Sequence, residues 1–132
     1  MSEFIVSFRV MGENLDPGSV SRALGVEPTE SHKAGSERPS SGGRKYSPFR
    51  EGIWCLTSTL GEKATLDEHL DELLSCLSSR RPALNALKNQ GFRQDIFVGV
   101  FSSDGNTGFT VSTSIETRLL QLGLKLNFDI YS

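Results

Sequence analysis

Apolar side chains at Phe4, Val6, Phe8 and Val10 alternate with Ser7 and Arg9, the two-residue period of a strand, and Ile5 on the polar side predicts a strand either covered on both faces or placed near the sheet centre. Asp16-Pro17 then makes a helix start, since Asp accepts from orphan amides and Pro is preset for the first turn. Val20, Ala23 and Leu24 form that helix's short apolar stripe, and Gly25 is a natural terminator. Ile53 to Leu60, with Trp54, Cys55 and Leu56, resumes as a strand. Thr65-Leu66-Asp67-Glu68 is a capping box, in which hydroxyl and carboxylate each satisfy the other residue's amide. Leu66, Leu70, Leu73, Leu74 and Leu77 follow at helical spacing, and Pro82 restarts a second short helix carrying Leu84 and Leu87 and stopped by Gly91.

Ile96 to Phe101 is apolar on both sides and reads as a buried strand. Turn residues at Asp104 to Gly108 lead into a short extended piece at Phe109 to Val111. Thr113-Ser114-Ile115-Glu116 is a second capping box, opening a helix with Ile115, Leu119 and Leu122 inward and Gly123 at its end. Leu124, Leu126, Phe128 and Ile130 alternate with Lys125, Asn127, Asp129 and Tyr131, the clearest half-buried strand in the chain. The order is β-α-β, a helical segment, then β-α-β. It predicts a single α+β domain over residues 1–132 with a ferredoxin-like antiparallel sheet and helices mainly on one face. Phe8, Trp54, Leu73, Val98, Leu119 and Phe128 are expected in its core.

Composition narrows the function classes. The 132 residues suit one domain, with 36% hydrophobic and 23% charged residues. A net charge of −2, from 14 basic and 16 acidic residues, argues against a dedicated nucleic-acid binder. The sequence shows no secretion-type leader and no apolar run that could span a bilayer, so a cytoplasmic protein without a membrane partner is expected. Cys55 and Cys76 are expected as buried free thiols of a reducing compartment.

Catalytic chemistry is not visible. His69 sits on the acidic helix, where it reads as a solvated residue, and Cys76 lies two helical turns from it, too far for a direct hydrogen bond. No nucleophile elbow, C-x-x-C or H-x-x-x-H spacing occurs, so no catalytic set, metal or cofactor is expected. Two charged regions remain as candidate partner-binding surfaces. One is the Gly-, Pro- and Ser-rich loop at 27–52, with Arg44, Lys45 and Tyr46; loops of that length are commonly functional. The other is the acidic helix face of Asp67, Asp71 and Glu72.

Taken together, the landmarks resemble a known family. Asp16-Pro17 opens the first helix, Leu24-Gly25 closes it and Pro28 follows; Lys33-Ala34-Gly35 precedes the variable loop; Trp54 lies in the next strand; His69-Leu70 sits in a leucine-rich helix; and Leu122-Gly123 leads into the last strand. This pattern is similar to the small bacterial family known as domain of unknown function 4279. The resemblance implies a bacterial, cytoplasmic protein with no catalytic residues, in a group some of whose members resemble immunity proteins. The expectation is therefore a non-catalytic immunity protein that binds and neutralises a cognate toxin protein, with a small-molecule- or anion-binding regulatory domain as the alternative.

Overall fold

The structure, a computed structural model, describes residues 2–37, 47–102 and 108–131. Arg44, Lys45, Tyr46 and all of the expected turn at Asp104 to Gly108 except Gly108 lie outside them. The elements run β1 (Ser2–Gly12), α1 (Pro17–Leu24), β2 (Glu30–His32), β3 (Gly52–Thr57), α2 (Leu66–Ser78), α3 (Arg81–Asn89), β4 (Arg93–Ser102), α4 (Thr113–Leu122) and β5 (Leu126–Tyr131). The class is α+β.

The strands form one sheet in the order β2-β3-β1-β4-β5. All its neighbours are antiparallel except β4 and β5, which are parallel and joined by α4. The sheet is therefore mixed, and β4-α4-β5 is an unsplit unit whose two strands touch, unlike the split units of a ferredoxin-like sheet. The loop expected over 27–52 also contributes β2, which has no apolar period and exists through its pairing with β3.

Even-numbered positions of the central strands face the helices. Val6, Phe8, Val10, Trp54, Ile96, Val98 and Val100 are fully buried and share one cluster with the leucines of α2 and α3 and the inward side of α4. Trp54 meets Phe8 edge to face with ring centroids 6.1 Å apart, and its indole N–H donates to Ser21 Oγ at 3.0 Å, so its one polar atom is satisfied. Five of the six expected core residues are buried; Phe128 is 41% exposed, because β5 is an edge strand whose helix-facing side is only partly covered.

The helix ends follow local chemistry. Thr65 and Glu68 form the expected capping box on α2. Gly25 and Gly123 close α1 and α4 at φ of 70° and 66°, a left-handed conformation that a Cβ disfavours. Two expectations shift. Asp16 makes no capping bond and instead accepts from Ser19 Oγ, and α4 is capped by Ser112, one residue before the expected Thr113, with Ser112 Oγ accepting from the Ile115 amide. The piece at Phe109 to Val111 forms no strand.

The opposite sheet face has no described helix over it. Across β1, β4 and β5, Arg9 donates twice to Asp95, Nε to Oδ1 at 2.8 Å and a terminal nitrogen to Oδ2 at 2.6 Å, while Asn127 Nδ2 donates to Oδ2 at 2.5 Å. The guanidinium also lies 4.6 Å from the centre of the Phe97 ring. Burial alone would raise the Asp95 carboxyl, but these bonds hold it below the ordinary range. The thiol of Cys55, on the same face, is pushed up to about 11 by burial.

Candidate functional site

The acidic residues of α2 are spent on internal contacts. Asp67 accepts from the Ser112 amide at 3.1 Å and Asp71 pairs with Arg118 at 2.7 Å. Glu72 accepts from the amide and hydroxyl of Thr59, each at 2.9 Å. These bonds hold Glu72 below the usual carboxylate range, against the opposing effect of burial. The three carboxylates expected to form one binding face thus go separate ways: Asp67 anchors the entry to α4, Asp71 bridges to α4, and Glu72 fastens the segment after β3.

That fastening builds a groove. An open pocket of about 460 Å³ is lined by Glu3, Phe4, Ile5, Thr57, Ser58, Leu60, Glu62, His69 and Phe101. Its size falls in the range of small-ligand sites. A neighbouring hollow of about 510 Å³, at the N-terminus of α2, shares Phe4 and Glu62 with it and is also lined by Asp67 and Phe109.

His69 is the notable wall residue. It was expected in solvent, yet it is 2% exposed. The reason was readable in the spacing: position 69 lies three residues after Leu66 and four before Leu73, on the apolar stripe itself. Its Nδ1 is 2.8 Å from Ser58 Oγ, and its Nε2 is buried with no hydrogen-bond partner. Ser58 Oγ is also 3.4 Å from Glu72 Oε2. A single protonation pattern satisfies this chain: the Ser58 hydroxyl donates to Glu72, Nδ1–H donates to Ser58, and Nε2 is left as a bare acceptor. Burial also lowers the imidazole's proton affinity, which keeps the ring neutral.

The arrangement is not that of a nucleophile triad. There the imidazole stands between hydroxyl and carboxylate; here the hydroxyl stands between the other two. At the mouth, Glu3 is raised above the usual carboxylate range by its hydrogen bond with Glu62, by that group's like charge and by slight burial. The pocket is thus walled by Phe4, Ile5, Leu60 and Phe101, with the carboxylates of Glu3 and Glu62 and the buried His69 also among its lining residues.

A family model, Domain of unknown function (DUF4279), matches residues 2–132. The chain belongs to this family. No curated protein and no solved structure was found to match it. In this DUF4279 chain, no group of three His, Cys, Asp or Glu among the described residues is placed to hold a metal ion. Nor is any helix among them long and apolar enough to cross a membrane. Of the described residues expected from sequence to bind a partner, Glu72 acts on the pocket, through Ser58, Asp67 lines the neighbouring hollow, and Asp71 does neither. Glu3, Ser58, Glu62 and His69 were not nominated; the helical phase of His69 was the one signal available.

Proposed function

We propose that this DUF4279 chain is a non-catalytic, cytoplasmic binding protein whose recognition site is the pocket around His69. Its ligand is a small molecule with an apolar body and a cationic nitrogen head. The observation that carries the reading is His69, buried with its Nε2 unpaired, among the residues that line a pocket with apolar walls and a carboxylate pair. A buried polar atom without a partner costs on the order of 1–3 kcal/mol, a penalty that a ligand N–H donor removes. The flanking Glu3 and Glu62 carboxylates select a cation over a neutral donor, and the apolar walls reward a hydrocarbon body. The anion-binding form of the alternative expected from sequence finds no support at this site.

The immunity reading has its own support. Phe101 stacks on Tyr131 at 4.8 Å, and with Ile5 these partly exposed side chains extend the apolar rim of the pocket over the open sheet face. Exposed aromatic side chains of this kind anchor protein contacts. A cognate toxin that laid a lysine or a free amino terminus into the pocket would use the same acceptors.

Calorimetric titration with phenethylammonium and, as a shape control, phenylpropionate tests the proposal. The ammonium compound is expected to bind with Kd of about 10 µM to 1 mM, as suits so small a ligand, and Glu62→Gln to weaken it. No binding by the ammonium compound, or equal binding of both, overturns the reading.

A further inference from the structure

The two edges of the sheet are treated differently. One ends in β2, three residues long and polar. The other ends in β5, six residues long and free of proline, with Phe128 at 41% and Ile130 at 51% exposure. Among the described residues no strand pairs with its outer side. An edge of this kind is a template for a further strand. α4, which leads into β5, also carries Leu120, at 81% exposure.

The hydrogen-bonding phase of that edge follows from one contact. The Ile96 amide donates to the Lys125 carbonyl at 2.9 Å, so the backbone groups of Lys125 face β4. By alternation those of Asn127 and Asp129 do too, and those of Leu126, Phe128 and Ile130 point outward. An antiparallel partner must therefore set outward-facing residues opposite one another. When the partner is β5 of a second copy, several two-fold registers meet that condition. With Phe128 opposite Phe128, Asn127 faces Asp129 and Lys125 faces Tyr131, so no ion pair forms. With Asn127 on the axis, Leu126 faces Phe128 and Lys125 faces Asp129, and the symmetry makes each contact twice. Lys125 and Asp129 are both exposed.

We propose that the chain forms a two-fold homodimer through antiparallel pairing of β5 with β5 of a second copy, with Asn127 on the axis and Lys125 opposite Asp129. The two sheets then join into one of ten strands. Leu126, Phe128 and Ile130 continue the apolar layer from one copy to the other, and the helices of both copies lie on the same side. The contact is isologous, as closed dimers require. None of the residues lining the pocket around His69 belongs to β5, although one of them, Phe101, stacks on Tyr131 of that strand.

Sedimentation equilibrium on the wild type and on Lys125→Asp and Asp129→Lys tests the register. The wild type is expected to dimerise, and each variant alone to dimerise about tenfold more weakly, because like charges then face each other twice. Mixed in equal amounts, the two variants are complementary at both positions and are expected to form a heterodimer at least as tight as the wild-type dimer. Circular dichroism checks that each variant is folded. A wild type that stays monomeric up to about 1 mM, a regime in which even weak pairing is populated, overturns the proposal. So do single variants that dimerise like the wild type, or a mixture that fails to associate.

Discussion

Replacing Asp95 by Asn removes the charge around which three strands are tied. Asp95 has a side chain 3% exposed, and the Arg9 guanidinium that donates to it twice is 25% exposed. The amide variant keeps the shape but turns an NH₂ group toward the donors of Arg9 and Asn127, and it leaves a mostly buried cation without its counter-ion. Breaking a fully buried pair from one side costs about 3–5 kcal/mol, and the water that reaches Arg9 reduces this to about 2–3 kcal/mol. For a domain of this length the melting point should fall by about 6–12 °C. Urea unfolding followed by tryptophan fluorescence measures the loss, since Trp54 is the only indole and is buried. The effect has a pH signature. The folded Asp95 carboxyl lies below its ordinary value of 3.8, so its contribution is complete above that pH and is lost as pH falls through the folded value. The gap between wild type and variant should therefore be constant near neutrality and should close in acid, below the ordinary carboxylate range. A deficit under about 0.5 kcal/mol at neutral pH, the range of an ordinary surface change, refutes the reasoning. So does a deficit that persists unchanged in acid.

Thr65→Ala removes the hydroxyl that accepts from the Glu68 amide at 3.2 Å and should cost about 1 kcal/mol in the same unfolding assay. A change within error would mean that packing alone holds the start of α2. Cys55, partly exposed but with its thiol pushed up to about 11, should react with a disulfide reagent at pH 8 far more slowly in the folded protein than in denaturant. Rapid labelling of Cys55 in the folded protein, read by mass spectrometry of its peptide, would contradict the raised thiol.

What could be read from the sequence is what is decided locally. β1, the capping box of α2, Pro82 near the start of α3 and the left-handed glycines at 25 and 123 all follow from spacings of a few residues. Alternation in β5 was equally clear, but it cannot say whether a strand's apolar side is covered. Phe128 is exposed because β5 ends the sheet, and sheet order is set by distant pairings. β2 was hidden for the same reason, Glu30-Ser31-His32 becoming a strand only against β3. The pocket was harder still, since it gathers residues 3–5, 57–62, 69 and 101 from separate segments. Asp67, Asp71 and Glu72 drew notice as a charge cluster, and nothing in their spacing revealed that Ser112, Arg118 and Thr59 would engage them.

The central claim, that His69 offers a bare acceptor to a cationic ligand, is tested most directly by nitrogen-15 NMR of the His69 ring at neutral pH. The tautomer inferred from Ser58 and Glu72 predicts a protonated Nδ1 and an unprotonated Nε2 in the free protein. Saturating phenethylammonium should shift the Nε2 resonance and leave Nδ1 hydrogen-bonded to Ser58. A ring that carries its proton on Nε2, or an Nε2 signal indifferent to the ammonium compound, would contradict the account.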